Sequence, residues 1–386
     1  MKLFTCSKCS SVVYFENTEC LHCGSSLGFD PLSMEMVPLQ QIADKVYLDL
    51  RHKRRKWRFC SNVVYHSCNW LIPSDSKETF CTACALNDTV PYLGKTENLT
   101  AWQEIEAAKH RLVYSLLRLG LPFQADAEET SQGLRFEFLE DSPEEGKVKT
   151  GHKNGTITIN LNEANEAYRA QLKAEMGESY RTLPGHLRHE TGHFYWDLFF
   201  ADDPVALERF RKMFDDERTD YEAALEAYYK THGAAGWSDD TITPYATAHP
   251  WEDWAESFAH YLHIMDGMET AYYFGIAAHP RVTTRKKWEM DSRVDPYEAT
   301  DFREIISGWI LLKNALNAMN TGMGQEPFYP FVISAAVMDK LTFIHSEISK
   351  RTRTASLFSG SGNAFWVAAA VSVGAIAGAL LVRDRE

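Results

Sequence analysis

A chain of 386 residues exceeds what one hydrophobic core usually supports, so two or three domains are expected. Its composition, 45% hydrophobic, 24% charged and 12% aromatic, excludes a disordered or fibrous protein. A formal net charge of −13 argues against general attraction to nucleic acid, which is therefore not an expected partner.

All eight cysteines fall within the first 84 residues. Cys6-Ser-Lys-Cys9 and Cys20-Leu-His-Cys23 have the spacing of a zinc ribbon, in which two short turns present four thiolates to one ion. Gly24 and Gly28 suit the tight backbone near such knuckles. The second group is Cys60, Cys68, Cys81 and Cys84, of which only the last pair keeps the knuckle spacing. A loop-rich segment of about 25 residues cannot order itself without a staple, so a second four-cysteine zinc site is expected. Paired cysteines of this kind suit a cation better than a disulfide framework, which points to a reducing, cytoplasmic setting. Met1 to Ser10 holds two cysteines and no apolar run of the kind a secretory signal requires. Between the groups, Arg51-His-Lys-Arg-Arg-Lys-Trp-Arg58 carries six Lys/Arg in eight positions. In an acidic protein it reads as a solvated or internally ion-paired face, with contact to RNA, DNA or anionic lipid as the alternative.

Trp102, Ile105, Ala108, Leu112, Leu116 and Leu119 recur at helical spacing up to Gly120 and Pro122, which predicts the first helix of a second domain. Residues 133–139 and 156–161 alternate apolar and polar and predict two strands of a small antiparallel sheet, with turns at Pro143, Gly146 and Asn154-Gly155. Beyond it the pattern predicts helices near 163–177, 184–200, 204–213, 217–231, 250–266, 300–318 and 328–348. Thr354 to Gly362 reads as a linker. Ala364 to Val382 has no charge over nineteen residues, close to the roughly 20 needed to cross a hydrocarbon core. It is a candidate membrane anchor, and its flanking charges place the bulk of the chain on the cytoplasmic side.

His189-Glu190-Thr191-Gly192-His193 carries the chemistry. On a helix, residues i and i+4 face the same way, so both imidazoles can reach one zinc ion while Glu190 stands beside the open coordination position as general base. Trp196 and Phe199 occupy the places where a metzincin needs glycine and a third histidine, which excludes that class. A third ligand is available on a second predicted helix opened by Pro250, as either Glu252 or Glu256. Asp197, one turn past His193, is a candidate to orient an imidazole. Tyr245 and His249 are candidates to donate to the oxyanion of an attacked carbonyl. His186 shares the face of Glu190 and His193 and reads as structural, since a further ligand would close the site.

The order Glu252, Ala255, Glu256 resembles that of gluzincin peptidases, in which a small residue and then an acid follow the ligand glutamate. That resemblance assigns Glu252 to the metal and Glu256 to a hydrogen bond with a ligand histidine. A wider resemblance rests on the Cys6/Cys9/Cys20/Cys23 ribbon, Cys68-Asn-Trp and Cys81-Thr-Ala-Cys84-Ala-Leu-Asn. Tyr180 to Asp197, Asp216-Glu-Arg, Tyr245 to Glu256 and His260-Tyr-Leu-His-Ile264 extend it. Over residues 1 to about 350 the chain is similar to the zinc-binding metallopeptidases of bacteria that carry an N-terminal zinc ribbon. The resemblance implies a peptidase acting on protein or peptide. The expected fold is α+β: a ribbon module over 1–95 with two structural zincs, a mainly helical gluzincin-like domain over 96–350 with one catalytic zinc, and a linker and apolar tail over 351–386. A competing class is a metal-holding binding or scaffold protein that recognises protein partners or nucleic acid through the ribbons.

Overall fold

The computed structural model describes residues 2–123, 133–143, 146–176, 181–231 and 238–359. The fold is α+β, and the described chain divides into two compact units, Lys2–Asn165 together with the residues from Thr352 on, and Glu166–Arg351.

The first unit opens with a ribbon hairpin, β1 (Phe4–Thr5) and β2 (Val12–Val13). An antiparallel meander follows: β3 (Ser26–Asp30), β4 (Glu35–Ala43), β5 (Val46–Asp49), β6 (Lys56–Phe59) and β7 (Leu71–Pro73). Val37, Leu39, Trp57 and Leu71 form its core. The basic stretch after β5 is partly neutralised within the fold, because Arg51 pairs with the buried Asp30 and Asp49. After β8 (Asn87–Thr89) comes α1 (Thr96–Leu119), stopped by Gly120 in the left-handed region at φ +67°. The buried ring of Tyr114 on α1 lies 5.4 Å from Phe15 and 6.0 Å from Phe29, so helix and ribbon share one aromatic core.

β9 (Arg135–Leu139), β10 (Gly151–Lys153) and β11 (Thr156–Asn160) complete a four-stranded sheet of order β10-β11-β9-β8. The expectation of an antiparallel sheet is corrected here. Only β10 and β11 pair that way, through the Asn154-Gly155 turn, whereas β9 runs parallel to both β11 and β8. Parallel neighbours need a crossover, and α1 supplies it between β8 and β9.

The second unit is helical: α2 (Glu166–Met176), α3 (Leu183–Trp196), α4 (Pro204–Phe214), α5 (Tyr221–Thr231) and α6 (Pro250–Phe274). A short pair, β12 (Ala277–Ala278) and β13 (Met290–Asp291), then precedes α7 (Phe302–Gly322) and α8 (Ala335–Ser359). α6 runs two turns past its expected end, through Gly267, and stops at Gly275, at φ +63°. α8 continues to Ser359, so the expected linker is helical from Thr354 to Ser359. The anchor candidate, 364–382, lies outside the described residues. Among the described residues no helix is long and apolar enough to cross a membrane.

Candidate metal centres and active site

Both cysteine groups assemble. In the first, the Sγ atoms of Cys6 and Cys23 are 3.8 Å apart and those of Cys9 and Cys20 are 3.6 Å apart. Four sulfurs each about 2.3 Å from one ion lie about 3.8 Å from one another, so the spacing suits a tetrahedral site, and it is far too long for a disulfide bond. Ser10 and Gly24, each one residue past the second cysteine of its knuckle, adopt φ +62° and +66° and send their amides back to the carbonyls of Cys6 and Cys20. In the second group Cys60, Cys68, Cys81 and Cys84 are all buried, and their sulfurs converge in the same way, with Cys68 and Cys81 3.7 Å apart. α1 adds a polar cluster that the periodicity concealed among its apolar positions. His110 Nε2 lies 3.5 Å from Cys84 Sγ, and Nδ1 donates to the Glu106 carbonyl at 2.7 Å. Lys109 Nζ donates to Glu106 Oε1 at 2.8 Å.

The third cluster depends on α3 and α6. Thr182 caps α3 by accepting from the Gly185 amide, and Pro184 occupies the first turn. α6 starts in the same manner, with His249 as its cap and Pro250 first. The helices approach closely because Gly192 has no side chain: a Cβ there would sit 2.9 Å from the Ala255 Cα. Trp254 Nε1 donates to the Gly192 carbonyl at 2.8 Å and locks the crossing. Arg188 is clamped by Asp266 and His263 of α6, which fixes the roll of α3.

This packing brings Glu252 Oε2 to 3.0 Å from His189 Nε2 and 3.6 Å from His193 Nε2, with the two imidazole nitrogens 3.2 Å apart. Glu252 is 1% exposed and its Oε2 has no hydrogen-bond partner. Glu256 instead faces the far side of His189, taking the Nδ1 proton at 2.7 Å and a second bond from the Thr243 hydroxyl at 2.6 Å. With the proton on Nδ1, the Nε2 lone pair points into the cluster. Tyr221 on α5 donates to Glu252 Oε1 at 2.6 Å. Neither Thr243 nor Tyr221 carried a signal in the sequence, since both reach the site only through folding.

Glu190 is buried beside the cluster, with Oε1 3.3 Å from His186 Nε2. Burial pushes its carboxyl up, but the contact with His186 and the fields of His189 and His193 outweigh that and bring it to about 2. His186, expected to be structural, thus bears directly on the acid. The Tyr245 ring centroid is 5.9 Å from that of His189 and 5.5 Å from that of Tyr228, which meets it edge-on. His249 Nδ1 accepts from the Trp251 amide and so caps α6, and its Nε2 donates to the Thr219 carbonyl at 3.1 Å. Asp197 ends α3, where burial raises its carboxyl and the neighbouring His193 opposes the rise.

Two four-sulfur clusters ahead of a helical unit that gathers two histidines and a glutamate are the arrangement of a zinc-binding metallopeptidase with a ribbon. Comparison with known proteins agrees. Residues 98–347 match the model of a family described as "Putative zinc-binding metallo-peptidase", and residues 3–95 match a zinc-ribbon domain. The chain belongs to that metallopeptidase family. It is 39% identical over 350 residues to "Uncharacterized protein Rv2568c" of Mycobacterium tuberculosis and to "Uncharacterized protein Mb2598c" of Mycobacterium bovis, covering 91% of this chain and 96% of each relative. No solved structure matches the chain.

Proposed function

We propose that the protein hydrolyses peptide bonds with one zinc held by His189, His193 and Glu252, while each cysteine cluster holds a structural zinc. The observation that carries this reading is the buried, unpartnered Oε2 of Glu252 aimed at two imidazole nitrogens. A buried carboxylate oxygen without a donor is costly, and a cation at that point relieves the cost. Tetrahedral ligation at about 2.05 Å separates two nitrogens by about 3.3 Å, which suits the His189–His193 spacing. Zinc bound there polarises a carbonyl and lowers the pKa of water towards ~7.

The chain's own groups do the rest. Glu190, ionised before substrate arrives, takes a proton from water as the water oxygen bonds to the carbonyl carbon. It returns that proton to the departing amine nitrogen as the C–N bond breaks. Tyr245 donates to the oxyanion. Glu256 and Thr243 hold the His189 tautomer, and Asp197 acts on His193. Residues 1–95 serve as the ribbon module and 96–350 as the catalytic one, working in a reducing cytoplasm with 364–382 as a tether to the inner face of the membrane.

The test is Glu190→Gln. It should keep three zincs per chain and lose cleavage of an unfolded protein such as casein by at least a hundredfold. Undiminished cleavage, or a parent protein that holds only two zincs, would remove the proposal and favour the binding-protein class.

A further inference from the structure

We propose that the loop carried by β12 and β13 is a docking surface for anionic phospholipid. The hairpin root is fixed in the second unit: Met290 is 4% exposed, and the Ser292 hydroxyl donates to the carbonyls of Ala271 and Ile276 at 2.8 and 2.6 Å. From this root the segment 279–289 projects Arg281-Val282-Thr-Thr-Arg285-Lys286-Lys287-Trp288, four cations without an acid in a chain whose net charge is −13. Of the acids that follow it, Asp291 pairs with Arg293 at 2.5 Å, and Glu289 lies 4.0 Å from His279. Among the described residues Arg281, Arg285, Lys286 and Lys287 make no ion pair, and all are exposed. Local composition therefore opposes the charge of the whole molecule, and among the described residues no acid pairs with these four cations.

The same loop exposes apolar side chains that a soluble surface does not require. Val282 is 95% exposed, Trp288 45%, and Phe274 at the root 54%. Lysine and arginine draw a loop to an acidic headgroup layer, while tryptophan and valine enter the boundary beneath it. Nucleic acid is the poorer match, because Val282 has no π face on which a base could stack and Trp288 alone makes no stacking platform. The uncharged stretch Ala364–Val382 adds a reason to favour lipid: stable attachment takes two signals, and a cationic loop complements an apolar segment.

The test uses the full chain and sedimentation with vesicles of phosphatidylcholine alone or mixed with phosphatidylserine. The expected result is tighter binding to the mixed vesicles, fading as salt rises. Lys286→Ala combined with Lys287→Ala should weaken that binding roughly thirtyfold, since each cation near an anionic surface contributes a factor of about five. Val282→Ser should weaken it further while leaving the salt dependence in place. Every altered side chain is exposed, so the melting temperature should not move. Equal binding of the parent to both vesicle types, unchanged binding of the lysine variant, or preferential capture of a short RNA by the same lysines would overturn the proposal.

Discussion

The hydroxyl of Tyr221 stands 2.6 Å from Oε1 of Glu252, while the other oxygen of that carboxylate faces His189 and His193. The two oxygens thus have separate tasks, one held by a phenol and one left for a cation. Tyr221→Phe should leave the fold intact and weaken retention of the third zinc by about 10–100-fold, as loss of a partner to a ligand carboxylate commonly does. Chelator competition on the full chain checks it, with the four-sulfur sites as internal controls. An unchanged affinity would mean that Tyr221 only packs between His249 and Trp251.

Gly192 sets how near α6 can come to α3. Gly192→Ala places a Cβ against the Ala255 backbone, and overpacking of that kind costs about 1–3 kcal/mol. The larger effect should be on metal content, because a small retreat of α6 removes Glu252 from the imidazoles. Zinc per chain should fall from three to two, while Ala255→Gly in the same chain restores part of it.

Burial raises the Glu347 carboxyl, but bonds from Arg209, Lys350 and Arg351 outweigh it and hold the group at about 2. Since 2 lies below the ordinary 4.5 for this carboxyl, the unfolded chain binds more protons between those values. The stabilisation is therefore complete above about pH 4.5 and is lost as pH falls towards 2. Glu347→Gln should lower stability at neutral pH by about 1–2 kcal/mol, since Arg209 and Lys350 remain partly solvated when unpaired. It should also flatten the acid limb of the stability curve, measured by urea denaturation across pH.

Cys84 shares its surroundings with His110 and Glu106 of α1, so the second four-sulfur site belongs to the core of the first unit. Cys81→Ser should release one zinc and expose α1 to limited proteolysis. His110→Ala should retain zinc at high metal concentration but release it about 10–100-fold more readily to a chelator. Equal protease resistance with and without that zinc would show that the aromatic core alone orders the unit.

Local patterns carried much of this in advance. The knuckle spacings and the pair His189/His193 are set by one helical turn or one tight turn, so neighbouring residues suffice to place them. The choice between Glu252 and Glu256 was not of that kind. Both lie on α6 one turn apart, and only the roll of that helix against α3 turns one towards both imidazole Nε2 atoms and the other towards Nδ1. The capping bond of His249 had a local signal, since a residue just before proline at a helix start is in position to cap. The parallel pairing of β9 was hidden because alternation assigns faces to a strand and says nothing of its direction.

By itself, the order of amino acids determined the reacting groups: eight thiols in two gatherings, two imidazoles and an acid on one helix, and a second acidic helix opened by proline. Tertiary structure alone decided which carboxylate oxygen is left without a donor, which tyrosine holds its twin, and that Thr243 steadies Glu256. The physical reason is range. Helical and turn geometry act over a few residues, whereas the close passage of Gly192 and Ala255 joins positions 63 apart and depends on the packing around them.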